Sequence, residues 1–306
     1  MLPYGGELLP RLSRSDWESR FAPFPIEIRL DEPLCTHTTI EVGGPCHCFL
    51  LPESTDALIA SIRVCKEEEI PYRFLGAGSN VLFADSGYSG VIIATERLVG
   101  STVHGDRVEV LCGEPLPSLL ATVARTGEQS LGFLAGIPGS LGGAIAMNAG
   151  IPAHSIGDIV DRVAVLDTHN DVRILNAEEC HFGYRESKIR AERLPVLWAS
   201  LRLDEKPYDY DAILAHRRAT QPISERSSGC VFKNPPNLSS GQLIEECGLK
   251  GFRVGMAKVS EKHANFILNL GGAKEAEIRK LIDIVHQKVY KSFHISLELE
   301  LEVIDG

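Results

Sequence analysis

The sequence lacks any long apolar run, and no stretch reaches the roughly 20 residues that a membrane-spanning helix needs. It also lacks a secretory signal. The start, MLPYGGELLPRLSRSDWESR, has no basic region leading into an apolar core, so a cytoplasmic location is the default expectation. Positive charge is in short supply: 31 Lys and Arg stand against 41 Asp and Glu, a formal net charge of -10 at pH 7. That balance argues against a nucleic-acid surface, which normally needs a basic patch. A phosphorylated ligand stays possible, because backbone N–H groups at a glycine loop or helix start hold phosphate despite negative charge elsewhere. The eight cysteines include no paired CxxC frame, so no metal site is expected, and small buried thiols in a reducing compartment are the simplest reading. Internal repeats and low-complexity tracts are absent as well. What remains is an ordinary globular composition, 44% hydrophobic and 24% charged, over 306 residues, enough for two or three cores.

Glycine is concentrated rather than scattered. Residues 131–150, LGFLAGIPGSLGGAIAMNAG, set glycines among small apolar residues, with Asn148 near the end. A flexible linker would be Gly/Ser-rich and polar. This run predicts instead a buried wall moulded against a large flat ligand, since glycine lets another molecule approach the main chain closely. A second loop, FLGAGSNVLF (residues 74–83), lies upstream. It is not a Rossmann fingerprint, because Val81 stands where the third glycine belongs and no helix follows. Gly76, Gly78, Ser79 and Asn80 still offer N–H and hydroxyl donors to a pyrophosphate, with a tight turn between strands as the plainer alternative. Together the two loops predict a bound cofactor.

Periodicity organises the rest. CHCFLL (46–51) predicts a strand, STDALIASIRVCKEEEI a helix, and YRFLG another strand, the βαβ pattern of parallel pairing. Residues 160–167 and 172–176 predict a hairpin turning at His169, Asn170 and Asp171, and 196–203 a further strand. Polar sequence over 204–225 predicts a boundary, placed around 210–221. Beyond it come a short helix stopped at Gly248 and a strand in HANFILNLG. An amphipathic helix follows, with Ile278, Leu281, Ile282, Val285, Val289 and Phe293 on one stripe. ISLELELEVI closes the chain as a predicted strand whose Glu298, Glu300 and Glu302 share one face. Residues 1–30 are expected to be a loosely attached leader.

FLGAGSNVLF, GFLAGIPGSLGGAIAMNAG, FGYRES, SSGCVFKNP, GLKGFRVGMAKVSEKHANF and the closing LELE together resemble the bacterial UDP-N-acetylenolpyruvoylglucosamine reductases (the MurB family). The motifs come in the family's order, from about Cys35 to the C-terminus. Little sequence lies between FGYRES and the C-terminal unit, as in the shorter subclass. The resemblance implies a mixed α/β and α+β chain. Residues 31–210 would form an FAD-binding domain of the vanillyl-alcohol-oxidase (PCMH) type, in two α/β subdomains split near 72. Residues 211–306 would form a C-terminal α+β domain that binds the UDP-sugar. It further implies non-covalent FAD beside Gly76, Ala77, Gly78, Ser79, Asn80, Gly136, Ile137, Pro138, Gly139, Ser140, Gly142, Gly143 and Asn148. No His/Cys-rich motif for covalent flavin attachment is present.

The family reduces the enolpyruvyl ether of UDP-N-acetylglucosamine to UDP-N-acetylmuramate for peptidoglycan. NADPH is its co-substrate; hydride goes from the flavin to C3 and a proton to C2. Such a site needs a clamp for negative charge and a proton donor. Arg185 in FGYRES matches the clamp, a permanent charge able to grip a carboxylate through two parallel bonds. Cys230 in SSGCVFKNP takes the position of the proton donor, commonly serine in the family. A thiol is coherent there, being mostly protonated at neutral pH with an unperturbed pKa of about 8.5. Only the family's final Leu-Glu-x-Glu selects Glu300 from its row, to hold or relay a proton. Tyr184, Lys233, Asn234, His263 and Asn265 resemble substrate contacts, with local hydrogen bonding an even alternative for the last two. Arg217 and Arg218 face a diphosphate or are ordinary surface arginines. A monomer is expected. Two other readings stand beside this one: a different flavoenzyme of the same cofactor fold, and a colourless nucleotide-sugar binder without flavin.

Overall fold

A computed structural model describes residues 13–203 and 207–306. Helix α1 (Arg14–Phe21) opens on a reciprocal cap, in which Ser13 Oγ accepts from the Asp16 N–H and the Asp16 carboxylate accepts from the Ser13 N–H. Trp17 and Phe21 bury in the main core, and β1 (Ile26–Pro33) pairs antiparallel with β2 (Pro45–Pro52). Residues 13–30 are therefore not a loose leader: two aromatic side chains and a ladder of backbone bonds hold them. The rest of α1 is polar, which concealed this. Residues 1–12 lie outside the described residues.

The βαβ reading holds for α2 (Thr55–Glu67), whose Leu58, Ile62 and Cys65 are buried, and β3 (Tyr72–Leu75). After β4 (Val81–Phe83), β5 (Tyr88–Ala94) inserts between β2 and β3, parallel to both, in a sheet ordered β1-β2-β5-β3. The expected subdomain split near 72 would cut through this sheet. The break falls after β5, where β6 (Ser101–His104) and β7 (Arg107–Leu111) begin a second sheet. Helices α3 (Leu116–Ala124) and α4 (Leu141–Ala146) follow, then the short pair β8 (Gly150–Ile151) and β9 (His154–Ser155). The predicted hairpin is β10 (Val160–Leu166) and β11 (Val172–Asn176); at its turn Asp167 Oδ1 accepts from the N–H groups of His169 and Asp171. After α5 (Lys188–Ala191), β12 (Val196–Arg202) completes an antiparallel sheet ordered β11-β10-β12-β7-β6.

The polar stretch expected as a boundary is instead helix α6 (Tyr210–Thr220), capped by Asp209, which accepts from the Ala212 N–H at 2.9 Å. The C-terminal unit then runs α7 (Ser240–Glu246), β13 (Arg253–Val254), β14 (Ala257–Val259), β15 (Ile267–Asn269), α8 (Glu275–Phe293) and β16 (Glu302–Ile304). The α8 stripe of Ile278, Leu281, Ile282, Val285 and Val289 is buried, each side chain worth roughly 1.5–3 kcal/mol of transfer free energy. Its core also takes in Ile40, Val42 and Leu82 from the N-terminal part. Two predicted strands are shorter than expected. In HANF a turn precedes β15, and the closing strand is only β16, which pairs in parallel with β4 through Glu302 and Val81. Among the described residues, no helix is long and apolar enough to cross a membrane.

Candidate active site

The two glycine loops face one another. Residues 76–80 form the turn between β3 and β4, and residues 137–143 lead into α4; Ser79 Oγ donates to the Pro138 carbonyl at 3.1 Å between them. A Cβ on Gly76 would overlap Ser140 Oγ, so a side chain there would displace that hydroxyl. They border a crevice of about 3640 Å³, several times the roughly 300–1,000 Å³ of a single-ligand pocket. Gly76, Ala77, Gly78, Ser79, Asn80, Ile137, Pro138, Gly139, Ser140, Gly142, Gly143 and Asn148 all line it. Gly136 does not. It lies beneath α6, where its Cβ would stand 3.1 Å from Leu214 Cδ1 and 3.2 Å from Arg217 Cδ. Gly78 has φ +62 and its Cβ would overlap the His37 carbonyl oxygen. Gly78→Ala is therefore expected to cost at least about 1–2 kcal/mol from the backbone alone, read as a lower midpoint in thermal unfolding.

Asn148 joins the glycine wall to the loop carrying Arg185. Its Oδ1 accepts from the Gly157 N–H at 2.9 Å and its Nδ2 donates to the Gly183 carbonyl at 2.8 Å. Arg185 occupies the tip of a turn in which Gly183 and Glu186 exchange backbone hydrogen bonds. Its Nε donates to Glu300 Oε1 at 2.8 Å, and the two side chains are only 24% and 14% exposed. Burial pushes the Glu300 carboxyl above its usual range, while Arg185, then Arg190 and Lys233, pull it back.

Glu300 turns inward because the terminal segment bulges. The N–H groups of Glu300 and Leu301 both donate to the Val231 carbonyl, at 2.9 and 3.3 Å, two residues opposing one. Strict alternation is lost there: Leu299 is exposed, Glu300 half-buried and Glu298 and Glu302 exposed. The expectation that all three glutamates share one face fails for this reason.

Cys230 follows Gly229, which has φ +74, and it lines the crevice. Packing on its other sides, and next the Glu300 carboxylate, raise the thiol's pKa, while Arg185, Arg217 and a hydrogen bond with Asn265 lower it, leaving it at about 12. The thiol thus feels the charge of both Arg185 and Glu300. Asn265 fixes this strand: its Oδ1 accepts from the Phe232 N–H at 3.0 Å and its Nδ2 donates to the Phe232 carbonyl at 2.8 Å. At 2% exposure it shapes the strand, and its amide is already engaged at both ends.

Lys233, Asn234, Tyr184 and His263 line the same crevice. Lys233 Nζ bridges Glu186 at 2.7 Å and Glu298 at 3.6 Å. The Tyr184 hydroxyl accepts from the Asn234 N–H at 3.3 Å, tying the arginine loop to the cysteine loop. The Asn265 N–H donates to His263 Nδ1 at 3.3 Å, and burial pulls the His263 pKa down. Arg218 does not line the crevice: it is exposed, and its carbonyl accepts from Lys262 Nζ. Its neighbour Arg217 lines the crevice, one residue and about 100° around α6. Four buried polar atoms on the crevice lack a hydrogen-bond partner: Arg73 Nε, His154 Nε2, Arg217 Nε and Gln221 Oε1. Sequence reading passed over Arg73, His154 and Gln221, which carry no motif. Among the described residues, no cluster of His, Cys, Asp and Glu is arranged to hold a metal ion.

Residues 221–304 match the family model for the C-terminal domain of UDP-N-acetylenolpyruvoylglucosamine reductase, and residues 46–175 match one for an FAD binding domain. The chain is 40% identical to the UDP-N-acetylenolpyruvoylglucosamine reductase of Caldicellulosiruptor bescii, with 91% of each chain covered. It is 42% identical to the one from Heliobacterium modesticaldum, with 89% of each covered. A crystal structure of the Thermus caldophilus enzyme superposes with a TM-score of 0.74 at 35% identity, covering 92% of this chain and 99% of that one.

Proposed function

The chain belongs to the UDP-N-acetylenolpyruvoylglucosamine reductase family, and on that premise we propose that the crevice is its active site, with Arg185, Cys230 and Glu300 as the reacting group. It is a flavin-dependent oxidoreductase of peptidoglycan synthesis that reduces UDP-N-acetylglucosamine enolpyruvate to UDP-N-acetylmuramate, with FAD as cofactor and NADPH as co-substrate. The residues present fit FAD. Two glycine loops tied together by the Ser79–Pro138 bond line the crevice and present main chain to a flat ligand. The facing loops at 76–80 and 137–143 would hold it. When bound, FAD supplies the two-electron chemistry, which no side chain provides.

One observation carries the site assignment: Arg185 and Glu300, 115 residues apart, form a half-buried ion pair whose charges are felt by Cys230. Reduction of the enolpyruvyl ether places negative charge on the substrate's carboxylate and C2. Arg185 keeps a permanent charge and a planar fork to receive a carboxylate. Its Nε is held by Glu300, which fixes the direction of that fork. Cys230 holds a proton on Sγ at neutral pH, since packing raises its pKa. As that proton moves to C2, the nascent thiolate is stabilised by Arg185 and Arg217. Arg217 lines the crevice as a cation, which supports a further contact with an anionic part of the ligands.

The test is the visible spectrum of the purified holoprotein without oxygen. Addition of NADPH is expected to bleach the flavin, and the enolpyruvyl substrate to restore its colour. A colourless protein, or bleached flavin that the substrate leaves unchanged, would overturn this reading.

A further inference from the structure

The clamp is held from behind. Arg185 has φ +57, a left-handed conformation that costs a non-glycine residue about 1–2 kcal/mol and persists only where its surroundings fix it. The group that fixes it is Arg190, on α5. Its Nη1 donates to the Arg185 carbonyl at 2.9 Å, and its Nη2 reaches the Glu300 carbonyl at 3.4 Å. One guanidinium thus bridges the main chains of both members of the ion pair. The Glu300 carbonyl also accepts from Asn80 Nδ2 at 3.0 Å, which links it to the first glycine loop.

Arg190 is itself anchored. Its N–H donates to Ser187 Oγ at 3.1 Å, and that hydroxyl donates to the Ala146 carbonyl at 2.7 Å, at the end of α4. The chain of contacts runs from the glycine wall through Ser187 and Arg190 to the two residues of the clamp. Arginine suits this task because its fork offers two donors in fixed relative positions, whereas a lysine ammonium is a single point donor on a flexible stem.

We infer that Arg190 is a positioning residue for the substrate-reducing half of the reaction, setting the angle at which Arg185 and Glu300 meet the enolpyruvyl group. This rests on the site assignment above. Arg190 works through the clamp, so its loss should spare the half-reaction with NADPH, in which no enolpyruvyl carboxylate needs to be gripped.

The experiment is anaerobic stopped-flow absorbance on holoenzyme carrying Arg190→Met or Arg190→Lys, with flavin content and thermal unfolding measured alongside. Arg190→Met is expected to keep its flavin and to be reduced by NADPH at the wild-type rate. Its reoxidation by the enolpyruvyl substrate should be about 10- to 100-fold slower, the scale of a displacement near 1 Å at the reacting atoms. Arg190→Lys, which keeps one of the two bonds, should lose less. Wild-type reoxidation by Arg190→Met, or an equal fall in both half-reactions, would overturn the inference. Should Arg190→Met fail to fold, Arg190→Lys decides alone: slowed reoxidation with normal reduction supports the inference, and wild-type reoxidation overturns it. Failure of wild-type reduced enzyme to be reoxidised would strike the site assignment itself, a different outcome.

Discussion

Cys230→Ala is expected to leave flavin reduction by NADPH intact and to slow reoxidation by the enolpyruvyl substrate about 10²- to 10⁴-fold, the usual contribution of a positioned general acid. The thiol lines the crevice, so its removal takes away the proton that would be delivered there, and flavin content and thermal unfolding check that the fold is kept. Cys230→Ser restores a hydroxyl at the same place and should be faster than the alanine variant. Normal reoxidation in Cys230→Ala would remove the residue from the reaction.

The same assignment fixes a pH dependence. The working form of the donor is protonated, so activity is lost as pH rises through the thiol's pKa. Packing and Glu300 push that pKa up to about 12. The rate of reoxidation should therefore show no thiol-linked fall near the unperturbed value of about 8.5. A fall centred there, absent from Cys230→Ser, would mean that the thiol is solvated like a free cysteine.

Strongly periodic elements were legible from the sequence. The stripes of α2 and α8 and the hairpin of β10 and β11 each bury a face against one core, so local pattern and tertiary environment agree. Helix α6 was hidden because it faces the crevice rather than a core: none of its residues is buried. Its signal was present in spacing, since Ile213, His216, Arg217 and Thr220 line the crevice at i, i+3, i+4 and i+7. Without that helix, Arg217 and Arg218 look equivalent; with it, Arg217 lines the crevice and Arg218 does not.

The site divides along the same line. Arg185 and Cys230 sit in motifs and were selected by the family resemblance. Glu300 was selected only by that resemblance, because alternation put three glutamates on one face and the bulge is set by the Val231 carbonyl, distant in sequence. The contacts of Arg190 and Asn80 with the Glu300 carbonyl join segments 110 and 220 residues apart, and no local pattern encodes them. Sequence announces chemistry that needs a particular side chain; it is silent where any chain with a carbonyl would serve.

Arg185→Lys is expected to retain flavin and lose product formation by about 10²- to 10³-fold, the scale for removing one preorganised donor from a developing anion. Charge is conserved, so a purely long-range electrostatic role would survive the change. Geometry is not conserved. Arg185 uses its Nε on Glu300 and its Nη2 on the Gly150 carbonyl at 3.4 Å while its fork lines the crevice. A single ammonium in that place is drawn to the Glu300 carboxylate and cannot also present two parallel donors to a substrate carboxylate. The loss should fall on kcat and kcat/KM together, since the bond is strongest when charge develops. Flavin content after gel filtration is the control: Arg185 lies on the loop that Asn148 ties to the glycine wall, so a structural role would appear as flavin released from Arg185→Lys. Retained flavin with lost turnover leaves the clamp as the only role that fits both results.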